Sequence, residues 1–202
     1  MNTCSAASCT ATSACAANHH PALDLPAQRI DTAEARTRTL LETAHSKLGF
    51  IPNTYAYMAN APHLLETYLL GYDRFRTDSG LTPVEQEIVL LTVSRENQCD
   101  YCTAAHCFMA DNMAQVPRAV TQAILDQGEI PEPRLRALHQ FTRVLVDRRG
   151  KASREEVAAF LAAGYEQRHV LDILLAIAVK TISNYANHLF DTPIDDLFGA
   201  KQ

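Results

Sequence analysis

The order of apolar and polar positions along the chain predicts a series of helices joined by short loops. Apolar residues recur every three or four positions, as at Leu41, Ala44 and Leu48, and this period is typical of a helix with one buried face. Strand-type alternation is scarce, so the predicted fold class is all-α. The predicted helices cover residues 32–48, 53–58, 62–77, 82–95, 99–113, 117–126, 134–149, 153–163 and 167–190.

Two of these helices begin with a capping box. In Thr82-Pro83-Val84-Glu85 the threonine is the N-cap, the proline takes the first helical position and the glutamate closes the box. Ser153 and Glu156 repeat the pattern. From Ile88 to Val93 the first of the two helices is apolar nearly all round, which predicts that it is buried.

Composition narrows the class of protein. The chain has 202 residues, 47% of them hydrophobic and 20% charged, so it can bury a core without disulfides. A net charge of −5 excludes the basic footprint of a nucleic-acid binder. The longest apolar run, Ile173 to Val179, is shorter than the ~18 residues of a membrane span, so we expect no membrane partner.

The six cysteines fall into two groups of three, one near the N-terminus and one at Cys99, Cys102 and Cys107. The first group lies in an Ala/Ser/Thr-rich stretch without the basic and apolar regions of a secretory signal. We therefore expect residues 1–22 to form a disordered tail, residues 23–202 to form one helical domain, and the protein to be cytoplasmic. Metal binding by the tail cysteines with His19 and His20 is the alternative.

The segment from Cys99 to His106 carries the candidate chemistry. At a helix N-terminus Cys99, Cys102 and His106 would share one side, with the two thiols within bridging distance. Peroxide chemistry needs a thiolate, which a helix N-terminus and a nearby base favour, and a second thiol to resolve the oxidised sulfur. Glu87, on the helix predicted to be buried, is placed to orient His106 and stabilise its charged form.

Other interpretations of the same residues stay open. The thiols could be inert core residues, with Cys107 packing in the core, and Glu87 could face water or form a structural ion pair. Cys99, Cys102 and His106 could bind zinc with a distant fourth ligand, although a second CxxC or HxxxH is missing. A thioredoxin motif is disfavoured because no βαβ pattern surrounds the pair.

The spacing of these residues resembles a known family. The spacing reproduces the core signature of alkylhydroperoxidase AhpD, in the carboxymuconolactone decarboxylase-like superfamily. Eleven residues separate Glu87 from Cys99, two separate Cys99 from Cys102, and three separate Cys102 from His106. The flanks, 48–53, 184–188 and 192–195, are similar to peroxidase-related members. The resemblance spans residues 40 to 196 and leaves out the cysteine-rich tail.

The resemblance implies an AhpD-like helical bundle that assembles into trimers or hexamers and needs no metal, haem or flavin. It implies a thiol-dependent peroxidase in which Cys102 is the peroxidatic thiol, Cys99 resolves it, and Glu87 with His106 relays protons. The peroxide is the substrate, and the reductant is a dithiol partner such as a lipoylated protein or a small thiol.

One departure from the family concerns Tyr101, which stands where the best-known members have a histidine. Its phenol can hydrogen-bond but is a poor base near neutral pH, which predicts a weaker proton relay or a different natural substrate. Tyr101 is therefore an accessory candidate. His188 is a second one, since a histidine on the last helix is more often a structural residue than a catalytic one.

Two other functions remain open. One is a decarboxylase-like lyase, which needs acid and base groups but no dithiol, and the other is a non-enzymatic thiol redox or metal-binding module.

A faint internal repeat relates residues 89–101 to residues 173–185. The second copy has Ser183 and Ala186 at the positions of Cys99 and Cys102. Buried helices also resemble each other by chance, so the duplication is one of two interpretations. If the helices are duplicated, only the first copy carries the thiol chemistry.

Overall fold

Ten α-helices and one π-helical turn make up the secondary structure of residues 21–199, the part of the chain that the computed structural model describes, and no strand occurs there. The all-α class is thereby confirmed. The predicted tail, 1–22, lies outside the described residues except for Pro21 and Ala22. The helices are α1 Ala35–Leu48, α2 Asn53–Met58, α3 Pro62–Asp78, α4 Pro83–Glu96, α5 Asp100–Met109, α6 Arg118–Leu125, α7 Pro133–Asp147, α8 Arg154–Ala162, α9 Gln167–Phe190 and α10 Asp196–Gly199.

Helix α4 is the centre of the fold, since it packs against α5, α6, α7 and α9. Its first turn has the predicted capping box: Thr82 Oγ1 accepts from the Glu85 N–H, and the Glu85 carboxylate accepts from the Thr82 N–H at 2.9 Å. Ile88 to Val93 are buried all round, as predicted. A helix without a solvent face needs a reason for each polar side chain it carries, and Glu87 is one of these.

A tight corner separates α4 from α5. Gln98 takes a left-handed backbone conformation with φ of 56°, and the Cys99 N–H donates to Ser94 O at 3.0 Å. Cys99 is the N-cap of α5. The corner therefore sets the CxxC pair on the first turn of a new helix, where backbone N–H groups have no helical acceptor.

Helix α5 is shorter than the sequence pattern predicted. The α-helix ends at Met109, and a π-helical turn, Ala110–Ala114, continues it to a left-handed Gln115 with φ of 53°. The Val116 N–H closes this turn on Ala110 O at 2.9 Å. Asp111 and Asn112 in the turn are polar and exposed, so a longer α-helix would gain no buried face there. Val116, after the turn, is buried in the core.

Helix α9 has the length and hydropathy of a membrane span, with 44% of the relevant window buried in the fold. It packs against α2, α3, α4, α5 and α7, and its buried face carries Lys180, Ser183, Asn184 and Asn187. This is the packing of a core helix. Unlike the α4–α5 segment to which the repeat relates it, α9 runs without a break.

The packed pair α3 and α9 leaves leucines in solvent: Leu70 is 58% exposed and Leu171 66%. An apolar face of this kind on a small domain favours self-association, so we predict a closed symmetric homo-oligomer, trimeric or hexameric by resemblance. Light scattering should give that mass at micromolar concentration. Leu171→Glu should lower the mass, while Leu25→Glu, before α1, should not. A wild-type monomer across that range would contradict the prediction.

Candidate active site

The two cysteines of the motif lie side by side at the start of α5. Cys99 is the N-cap and is 1% exposed; Cys102, in the first turn, is 3% exposed. The Nδ2 group of Asn187, on α9, donates to both sulfurs, at 3.7 Å to Cys99 and 3.2 Å to Cys102. The structure thus brings the two thiols to the same amide, and no disulfide joins them.

The two sulfurs differ in environment. Cys102 lines a cavity and also lies 3.8 Å from Ser183 Oγ, whereas Cys99 is not among the residues lining that cavity. A hydrogen bond to the Cys102 sulfur and burial raise the pKa of Cys99. Burial opposes ionisation of Cys102 too, but the Cys99 thiol and the Lys180 charge outweigh it and lower the pKa of Cys102. Cys102 is the sulfur that ionises first.

Glu87 and His106 form a buried pair beside Cys102. His106 Nδ1 lies 2.9 Å from Glu87 Oε2, and both residues are at most 3% exposed. The second carboxylate oxygen of Glu87 accepts from the Arg76 guanidinium at 2.5 Å. Burial would raise the pKa of Glu87, but the His106 hydrogen bond and the Arg76 charge lower it, so the carboxylate is ionised and can only accept.

His106 is a neutral base in this setting. Burial and the neighbouring Lys180 charge lower its pKa to about 4, against the opposing effect of Glu87. Since Glu87 can only accept, Nδ1 carries the proton and Nε2 has its lone pair available. The sequence interpretation, in which Glu87 would stabilise a charged imidazole, is therefore corrected in one respect: Glu87 orients a neutral ring.

Sequence reasoning missed three polar side chains that complete the site. Arg76 comes from α3 and also donates to Tyr72 OH, while Lys180 and Ser183 come from α9 and line the cavity. The available signal was a polar stripe, Lys180, Ser183 and Asn187, at helical spacing on a helix otherwise apolar.

The residues singled out on α9 from the sequence lie elsewhere. His188 is exposed and stacks near Tyr185, so the structure does not bring it to the thiols. Asn184 is buried and accepts from the Asn97 amide at 2.9 Å, at the α4–α5 corner. Each of these residues directly follows a member of the stripe that faces Cys102, so its side chain points about 100° further round the helix.

Tyr101 fastens the C-terminal segment to the site. Its hydroxyl donates to Asp195 at 2.5 Å, and Asp195 also accepts from the Asn53 N–H at 3.2 Å. The ring packs edge-on against Phe198 of α10, with 6.0 Å between centroids. Burial and this bond to Asp195 raise the pKa of Tyr101. The phenol therefore has a structural partner and is not available as a base.

The cavity beside Cys102 has a volume of about 610 Å³. Its reactive and charged side chains are those of Lys47, Arg76, Glu87, Cys102, His106 and Lys180. Much of the remaining wall consists of rings, the last of them from α10: Phe50, Tyr55, Tyr68, Tyr72, Tyr101, Phe108 and Phe198. Such a cavity accepts an apolar molecule much larger than hydrogen peroxide.

The zinc interpretation gains no support, because no group of three or more His, Cys, Asp or Glu side chains within residues 21–199 is arranged to hold a metal ion. Cys107 is half-buried against the main core, as expected from the sequence. The inert-thiol interpretation does not account for a cavity that opens onto Cys102 with a buried base beside it.

Comparison with known proteins agrees with the fold. The sequence model of the carboxymuconolactone decarboxylase family matches residues 62–141. An uncharacterised peroxidase-related protein from Ralstonia eutropha, described as an alkylhydroperoxidase AhpD core, is 24% identical with a TM-score of 0.77, over 89% of this chain and 95% of that one. A peroxidase-related protein from Silicibacter sp. is 20% identical with a TM-score of 0.73, over 90% and 95%.

A third similar structure is a variant of the debrominase Bmp8 in complex with 2,3,4-tribromopyrrole, 17% identical with a TM-score of 0.69, over 87% of this chain and 92% of that one. A search of curated protein sequences finds no match. At these identities the neighbours establish the shared helical architecture.

The neutral state of His106 predicts how stability depends on pH. Its pKa is about 4 in the fold and about 6.5 in an unfolded chain, so between these values the unfolded chain binds more protons. The free energy of unfolding should therefore fall as the pH is lowered from 6.5 to 4, by up to about 3 kcal/mol from this group. Denaturant unfolding of wild type and His106→Asn across this range tests it. The variant should show the shallower dependence, and equal slopes would contradict a neutral buried His106.

Proposed function

We propose that this chain is an AhpD-like thiol-dependent peroxidase that reduces hydroperoxides through Cys99 and Cys102. Residues 62–141 match the sequence model of the carboxymuconolactone decarboxylase family, and the helical fold is shared with an AhpD core structure. One observation carries the proposal. Of two adjacent buried thiols, the one that ionises more readily lines a substrate-sized cavity together with a carboxylate-oriented neutral imidazole.

The first step is attack by the Cys102 thiolate on the terminal oxygen of the hydroperoxide. The O–O bond breaks, the sulfur becomes a sulfenic acid, and the alkoxide takes a proton and leaves as an alcohol. His106 moves the protons: Nε2 receives the one that leaves the thiol and returns it to the alkoxide, while the Nδ1 bond to Glu87 holds the ring.

The second step uses the neighbouring thiol. Cys99 attacks the Cys102 sulfenic sulfur, which releases water and forms the disulfide. Both sulfurs lie within hydrogen-bonding reach of the same Asn187 amide, so little movement is needed. A dithiol then reduces the disulfide by exchange. We propose a lipoylated protein or a small thiol for this role, in a cytoplasmic homo-oligomer.

A lyase of the decarboxylase type is the weaker alternative for this site. Decarboxylation requires acid and base groups but has no step for a second thiol. Here Cys99 is buried against Cys102, and its hydrogen bond to that sulfur is one of the effects that lower the pKa of Cys102. A passive thiol module, in turn, would not need the cavity or the Glu87–His106 pair.

Reductive dehalogenation of an aromatic halide is the second candidate function. The observation that favours it is the ring-lined cavity of about 610 Å³, together with the fold shared with a debrominase. This reaction would also consume both thiols: an aryl halide and the two thiols give the arene, the hydrogen halide and the disulfide. Halide release from a bromophenol or a bromopyrrole, measured beside the reduction of cumene hydroperoxide, separates the two functions.

The two cysteines should respond differently to substitution if Cys102 is the attacking thiol. Cys102→Ser should abolish the first reaction with peroxide. Cys99→Ser should react once and stop at a sulfenic acid on Cys102 that dimedone traps. The measurement is mass spectrometry after one equivalent of peroxide. Both variants are made in the full chain with Cys4, Cys9 and Cys15 changed to serine.

Cys107→Ser is the matched control, since Cys107 is half-buried and does not line the cavity; it should turn over like the parent. An adduct on Cys99 in Cys102→Ser, with none on Cys102 in Cys99→Ser, would reverse the assignment. No adduct in either variant would contradict a peroxidase.

A further inference from the structure

Lys180 is a buried lysine that the mechanism above does not use. It lies in the interior of α9 and is 1% exposed, among the largest fully buried side chains of the described residues. Burying an ammonium is costly unless a negative group pairs with it. None of the ion pairs within residues 21–199 includes Lys180, so no carboxylate of the described residues is its negative partner.

The cavity brings Lys180 to the neighbourhood of the Cys102 sulfur. Lys180 and Cys102 both line it, and Ser183, one turn further along α9 from Lys180, places its Oγ 3.8 Å from the Cys102 sulfur. The Lys180 side chain is one of the groups that lower the pKa of Cys102. A cation beside a buried thiol favours the thiolate.

The other cationic side chains that line the cavity are not available for this role. Lys47 is exposed to solvent. His106 is neutral at pH 7 because its pKa is about 4. Arg76 is paired with the ionised Glu87 carboxylate, so the two charges largely cancel at the distance of the sulfur. The start of α5 contributes partial positive charge from its free N–H groups, but a full charge in contact exceeds it.

We propose that Lys180 is a catalytic residue of this site and that its ammonium is the counterion of the Cys102 thiolate. The inference rests on the proposed role of Cys102 as the attacking thiol and divides the labour: His106 moves the proton, and Lys180 holds the negative charge that remains. The thiol proton passes to His106, and from there to the alkoxide during turnover or to solvent in the resting protein, so no other reactant is required.

Titration of Cys102 depends on every ionisable group that surrounds it, and these come from four helices in addition to its own. The phenols on α2 and α3 stay neutral, since burial raises the pKa of each. The groups are Tyr55 of α2, Tyr68, Tyr72 and Arg76 of α3, Glu87 of α4, Cys99, Tyr101 and His106 at α5, and Lys180 of α9. Among them, Lys180 is the one whose charge is not balanced by another member.

A redox consequence follows from the same contact. The thiolate exists only in the reduced protein, whereas a disulfide carries no charge to pair with the ammonium. Lys180 therefore stabilises the reduced pair relative to the disulfide, which makes the disulfide easier to reduce. Removing the charge should make it harder to reduce.

The test is the pH dependence of Cys102 alkylation by iodoacetamide, read by site-resolved mass spectrometry on the reduced full chain. In Lys180→Met the pKa of Cys102 should rise by about 1 to 3, so alkylation below the wild-type pKa should slow about tenfold or more. The glutathione equilibrium should shift toward the disulfide by a similar factor. Lys151→Met is the matched control, because Lys151 is exposed and does not line the cavity, and both readouts should stay at wild-type values.

Lys180→Gln repeats the test should the methionine variant fail to fold, and Lys180→Arg keeps the cation and should keep the low pKa. An unchanged pKa in the neutral variants, or an equal rise in Lys180→Arg, would overturn the inference. Failure of the proposed function looks different: wild type would have a low Cys102 pKa that depends on Lys180, yet would not reduce peroxides.

Discussion

The buried carboxylate of Glu87 is the constraint on which the rest of the site depends. It lies on α4, the central helix, and is 3% exposed, so its charge has to be met inside the fold. Arg76 from α3 meets one oxygen and His106 from α5 meets the other. These two interactions hold α3, α4 and α5 in place relative to one another. They also fix the imidazole in one tautomer beside Cys102.

The second buried charge, on Lys180, brings α9 to the same point. Lys180 and Ser183 line the cavity at Cys102, and Ser183 and Asn187 contact the Cys102 sulfur. The site therefore combines a carboxylate that orients a neutral base with a cation that faces a thiol. In this arrangement the functional polar groups are also packing groups, so each would be expected to affect stability as well as reactivity when it is changed.

Sequence reasoning predicted the helices well where local rules decide them. The capping boxes at Thr82 and Ser153 and the full length of α9 follow from residues close together in the chain. Glu87, Cys99, Cys102 and His106 were accessible because their spacing is a pattern. Arg76 and Lys180 were not, since an arginine or lysine on a helix is usually solvated. Only tertiary packing half-buries Arg76 and fully buries Lys180. Tyr101 likewise gained its role from Asp195, which the chain brings back from its C-terminal segment.

The central claim is that Cys99 and Cys102 act together as a two-electron redox pair. Counting free thiols before and after one equivalent of hydroperoxide tests it most directly, in the full chain with Cys4, Cys9 and Cys15 changed to serine. The account predicts that the count falls from three to one, with Cys107 still reactive under denaturing conditions and both lost thiols recovered by a dithiol. A count that stays at three would contradict the account.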